Sequence, residues 1–166
     1  MLVRLLNTAD ALIGGLAWRN HRRAAKKRAR AIEYARDRLK QVQHYRELIA
    51  LTRSTLTYAN QAAAQLWRAA DSMAAELWQA EFRHYRPLIE RIIAQTERRV
   101  LHGEAVAANE KVVSLFEPHA DIIVKGARDV QYGHKLNLTT GRSGLILDLV
   151  IEAGNPADSE RFLPML

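Results

Sequence analysis

Cysteine is absent from the 166-residue sequence, so disulfides and thiolate-held metal sites are excluded and a reducing compartment is expected. Long apolar runs are missing as well: none approaches the ~20 residues that a membrane span requires. The opening Met1-Leu-Val-Arg-Leu-Leu-Asn-Thr-Ala-Asp10 has neither the extended apolar core nor the small-residue cleavage site of a secretory signal. These absences together predict a cytoplasmic protein with no membrane partner. Proline is sparse, and Pro87 is the single one before residue 112. Acid is the scarcer charge: 18 Asp and Glu face 25 Lys and Arg, a formal net charge of +7. That excess favours an anionic partner, of which nucleic acid is the commonest.

What is present changes character near residue 112. Residues 1–111 are rich in Ala, Leu, Arg, Gln and Glu, all strong helix formers. Apolar residues recur at helical spacing, mainly in steps of three and four: Leu39, Val42, Tyr45, Leu48 and Ile49; then Leu66, Ala70, Met73 and Leu77; then Leu88, Ile92, Ile93 and Val100. The spacing predicts a short helix over 2–16 broken near Gly14-Gly15, a long one over 18–50, a third to about 80, and a last one from Pro87 to Leu101. Pro87 suits a first helical turn, where its missing N–H costs nothing. Such helices pack as an antiparallel bundle.

Beyond residue 112 the period becomes two. Residues 120–125, 130–139 and 144–152 read as strands, with Tyr132, His134, Leu136 and Leu138 sharing a face and Gly141-Arg-Ser-Gly144 forming a hairpin turn. A helix starting near Glu160, capped by Asp158 or Ser159, has no room to finish before Leu166. Two or three strands without further cover make a marginal sheet, so residues 112–166 read as part of a larger fold. An unpaired edge beside Ile122, Ile123 and Val124 is expected to favour self-association.

Candidate chemistry is thin. Asp148 and Glu152 fall on one face of the last strand, as a metal pair would, but a partly solvated strand face, or one pairing with basic neighbours, accounts for them better. His102, His119 and His134 lack zinc spacing, and His21, His44 and His84 lie far apart on helices. Ser114 and Ser143 have no base beside them. Trp18, Trp67 and Trp78 sit among apolar residues as packing anchors. The informative feature is basic: seven cations and no acid lie between Arg19 and Arg30. At ~100° per residue, Arg19, Arg22, Arg23, Lys26 and Arg30 follow one stripe, with Lys27 beside it. Such a stripe can track a phosphate backbone without reading sequence; a solvated helix face is the plainer alternative. Lys125, Arg128, Lys135 and Arg142 form a second basic set around the strands.

The run Glu110-Lys-Val-Val-Ser-Leu-Phe-Glu-Pro-His-Ala-Asp-Ile-Ile-Val-Lys125 is followed by Tyr132-Gly-His-Lys135 and Gly154-Asn-Pro-Ala-Asp-Ser159. With Gln95-Thr-Glu-Arg-Arg-Val-Leu-His-Gly-Glu104 upstream, it resembles the middle of DDE-type insertion-sequence transposases of the ISNCY group. The resemblance covers nearly the whole chain and is most specific over 95–159. It implies DNA transposition as the activity and DNA as the partner. It also implies an α+β fold: a helical insertion (1–111) followed by a partial antiparallel sheet of a truncated ribonuclease-H-like core (112–166). That family uses three acids to hold two divalent ions. Its first Asp would precede Met1, and its second Asp and its Glu would follow Leu166. No residue here matches them, so no catalytic or metal-binding residue is assigned, and Mg2+ is expected only in a full-length member. The DNA-binding residues expected are Arg19, Arg22, Arg23, Lys26, Lys27, Arg30, Lys125, Arg128, Lys135 and Arg142. A free-standing basic helical module that binds nucleic acid, or a scaffold pairing through its helices, are the rival readings.

Overall fold

A buried indole organises the helical half. Trp78 donates its Nε1–H to the carbonyl of Leu5 at 2.7 Å and stacks on Phe82 with centroids 5.2 Å apart. That bond satisfies the ring's only polar atom inside an apolar core. The computed structural model describes residues 1–69, 72–125, 129–157 and 159–160, apart from the side chains of Ala69 and Lys125. The chain is α+β, and it divides into two compact units, Met1–Ala105 and Val106–Leu166.

The first unit holds four helices: α1 (Leu2–Ile13), α2 (Arg22–Tyr34), α3 (Arg38–Ala69) and α4 (Met73–Thr96). α1 stops where expected, at Gly14 with φ 77°, a left-handed conformation that glycine adopts without penalty. Leu5, Leu6 and Ala9 of α1 are fully buried, as are Ala59 and Ala62 of α3. The small alanines allow close helix approach.

The long helix expected over 18–50 is instead two. No Gly or Pro marks the break; Asp37 makes it. Its carboxylate accepts the Lys40 backbone N–H at 3.0 Å and so caps α3. This bond holds the Asp37 carboxyl below its ordinary value.

Pro87 lies inside α4 rather than at a helix start. An interior proline forfeits one backbone bond and costs about 3 kcal/mol. It is tolerated because Trp78, Phe82, Ile89 and Ile93 make one buried stripe on both sides of it, and fully burying each such side chain returns roughly 1.5–3 kcal/mol. That stripe also corrects the expected one, since Met73 and Leu77 are exposed. Ser72 caps α4 by accepting from Ala75 N–H. The helix ends in a π-helical turn, Glu97–Leu101, where the His102 N–H reaches the Glu97 carbonyl. Ala70 and Asp158 lie outside the described residues.

In the second unit, β1 (Asp121–Lys125) pairs antiparallel with β2 (Asp129–Gly133), and β3 (Lys135–Thr140) with β4 (Ile146–Glu152), giving two two-stranded sheets. The single strand expected over 130–139 is divided at Gly133, whose φ of 152° interrupts the alternation. The hairpin turn over 141–144 is as read from its glycines: Gly144 N–H donates to the Gly141 carbonyl. After β4 the chain returns to β1, where Gly154 N–H donates to the Asp121 carboxylate at 2.8 Å. Ile123 is buried and Val124 is 52% exposed; among the described residues β1 pairs with β2 alone, so its other edge carries no strand. No helix of the described residues is long and apolar enough to cross a membrane.

Candidate nucleic-acid interface

α2 and the first part of α3 form an antiparallel two-helix arm. The pairing runs from His21 Nδ1 with Thr55 Oγ1 (3.3 Å), through the Arg28–Glu47 ion pair, to the Gln41 side chain donating to the Ile32 carbonyl (3.4 Å). Thr55 spends its own hydrogen on the Leu51 carbonyl, so the His21 ring must be the donor between them. Asn20 Oδ1 accepts from the Arg22 N–H and starts α2.

The arm concentrates the charge of the molecule. Residues 22–48 carry ten Lys and Arg against three Asp and Glu, out of 25 and 18 in the whole sequence. The other 139 residues therefore hold fifteen of each sign. No side chain of α2 is fully buried, so nearly every cation on it meets solvent.

An open cavity of about 690 Å³ lies along the arm, lined by Arg19, Arg23, Lys26, Lys27 and Arg30 together with Asn20, His21, Ala24 and Leu51. Five of the expected DNA-binding residues thus come together. Arg19 precedes the helix, and Arg22, at its first position, is exposed beside the cavity residues without lining it. Among the described residues none of these six has an acidic partner within 4 Å; Arg28, left off the stripe, turns to α3 and pairs with Glu47. An array of exposed, unpaired cations around a concavity has the chemistry to hold closely spaced phosphates. Among the described residues that line the cavity His21 supplies the only ring, and no Phe, Tyr or Trp stands there as a platform for stacked bases. The arm also carries Arg36, Arg38, Lys40 and Arg46, which the stripe did not include and which do not line the cavity.

The second basic set is not assembled into a site. Arg128 and the Lys125 side chain lie outside the described residues. Lys135 is half-buried and donates its ammonium to the Pro156 carbonyl. Arg142 is exposed in the turn at the other end of the β3–β4 hairpin. Asp148 and Glu152 do not converge on an ion either. Asp148 accepts from the Leu149 N–H, while Glu152 is buried and accepts from Asn137 Nδ2 at 2.8 Å. His119 and His134 come together with rings stacked, their centroids 5.1 Å apart. Among the described residues no group of three His, Cys, Asp or Glu is placed to hold a metal. Trp78 is the anchor expected of it, but Trp67 is 77% exposed. No protein-family model, curated protein or solved structure matches the chain.

Proposed function

We propose that this chain is a DNA-holding segment of an insertion-sequence transposase of the ISNCY kind, acting in the cytoplasm and carrying no DNA-cutting centre of its own. The supporting observation is the arm, where six unpaired cations gather on and beside one open cavity. Their chemistry favours sequence-independent contact with the phosphate backbone. The family assignment rests on the resemblance over residues 95–159. On that reading β1–β4 belong to a ribonuclease-H-like core whose acids lie elsewhere in the protein. The residues present here do not fit its two metal ions, because Asp148 and Glu152 are each engaged separately.

The test is salt-dependent binding to a labelled duplex, followed by fluorescence anisotropy. Six phosphate contacts give a log–log slope of about −5, and about a thousandfold loss of affinity between roughly 50 and 200 mM salt. Replacing Arg23, Lys26, Lys27 and Arg30 with Gln leaves two cations, a slope of about −2 and about a tenfold loss over the same range. An unchanged slope would reduce the arm to a solvated face. The rival reading, a free-standing basic helical module, is favoured by the confinement of the net charge to the helical unit. Extending the genomic reading frame separates the two: flanking catalytic acids belong only to the transposase.

A further inference from the structure

The β3–β4 hairpin is amphipathic in the wrong sense for a sheet that covers its own core. Along β3 burial alternates, with Lys135, Asn137 and Thr139 the more covered and Leu136, Leu138 and Thr140 exposed. The register places Leu136 opposite Ile151 and Leu138 opposite Leu149. Leu147 adjoins them at the irregularity where the register shifts between Thr139 and Thr140. These five Leu and Ile side chains are each 50% to 65% exposed. The polar face is tied down instead, by the Asn137–Glu152 hydrogen bond and by the ammonium of Lys135 on the Pro156 carbonyl. A contiguous apolar face presented to water marks an interaction surface.

We infer that this face is the contact between two copies of the chain, packed hairpin on hairpin about a two-fold axis. The face carries no charged side chain, so an identical surface meets it without like-charge repulsion, as an isologous interface requires. Sheets stack about 10 Å apart with side chains interdigitating, and a ridge of Leu and Ile on one hairpin suits the same ridge on another. The area is sufficient. Five half- to two-thirds-exposed aliphatic side chains supply on the order of 350 Å² of apolar surface per copy. Homodimer interfaces are about 65% apolar, so the whole contact comes to about 1,100 Å², just above the ~1,000 Å² that separates specific interfaces from incidental ones.

Sedimentation equilibrium of the full chain tests this. The mass is expected to rise with concentration from 18.8 kDa to twice that value. Leu138→Glu and Leu149→Lys replace side chains that are half in solvent, so the hairpin tolerates both; retained cross-strand nuclear Overhauser contacts between Asn137 and Val150, which pair in the register, verify this. Each variant alone is expected to stay monomeric, and an equimolar mixture to recover the dimer. A wild-type chain that remains monomeric at several hundred micromolar overturns the inference and leaves the face to a different protein. Dimerisation that persists in both single variants overturns it too, and assigns the contact to a strand edge.

Discussion

Replacing Pro87 with Ala is expected to stabilise the helical unit, an unusual sign for a substitution in a helix that carries the core. Pro87 lies within α4, which runs unbroken from Met73 to Thr96. Its ring denies the Arg83 carbonyl a donor, and both residues are exposed, so no core contact changes on substitution. An interior proline costs about 3 kcal/mol relative to alanine. Against this, proline restricts the unfolded chain, worth roughly 0.4–1 kcal/mol that alanine gives up. The net gain is about 2 kcal/mol, and for a unit near 100 residues that raises the melting temperature by on the order of 10 °C. Thermal unfolding followed by far-ultraviolet circular dichroism measures it. A helix starting at Pro87, as its position in the sequence suggested, would gain nothing from alanine, because its N–H would have no helical acceptor. A melting temperature that is unchanged or lower refutes the continuous helix.

Trp78→Ala should lower the stability of the same unit by about 3–5 kcal/mol, with Trp78→Phe intermediate because it keeps the stacking on Phe82 but loses the bond to Leu5; differential scanning calorimetry ranks the three. Asp37 titrates below its ordinary value because it accepts the Lys40 N–H, so the stability it gives α3 is complete above that ordinary value and lost as the pH falls through its lowered one. Helix content of the arm should decline over that acidic window in the wild type and show no such step in Asp37→Asn, as followed by amide chemical shifts. In hydrogen exchange, amides of α3 around Ala59 and Ala62 and of α4 around Phe82 and Ile89 should be protected longest, while α2, with no fully buried side chain, exchanges quickly. Equal protection of α2 and α4 would contradict the packing described.

The features legible in the sequence were those written in local chemistry. Gly14 ends α1 because a left-handed residue is needed there, the glycines of 141–144 make a hairpin turn, and the cations of α2 fall on a stripe because helical geometry is regular. The break between α2 and α3 was not legible, since Ala35-Arg36-Asp37 contains no breaker and Asp37 caps only once the chain has turned. Pro87 misled because propensity is local, whereas the stripe from Trp78 to Ile93 that carries the helix through it is tertiary. The strand over 130–139 looked continuous because hydrophobic alternation survives a backbone turn at Gly133. In the site, the spacing singled out the five stripe cations and Lys27, but the place of α3 in the arm depends on its folding back along α2. The inversion of the β3–β4 hairpin was equally hidden, because alternation shows that two faces differ and not which of them is covered.

Gathering the excess charge on the α2–α3 arm has a kinetic consequence. With the other 139 residues balanced, a long-range field draws a polyanion toward the arm and toward little else, so collisions are oriented before any contact forms. Steering of this kind accelerates capture by ten- to a thousandfold and fades once the Debye length shrinks to about 8 Å at physiological ionic strength. On the proposed reading of the arm as a phosphate-holding surface, substitutions in the bundle change how long the protein survives without altering how fast it meets a polyanion, whereas neutralising the arm slows that encounter.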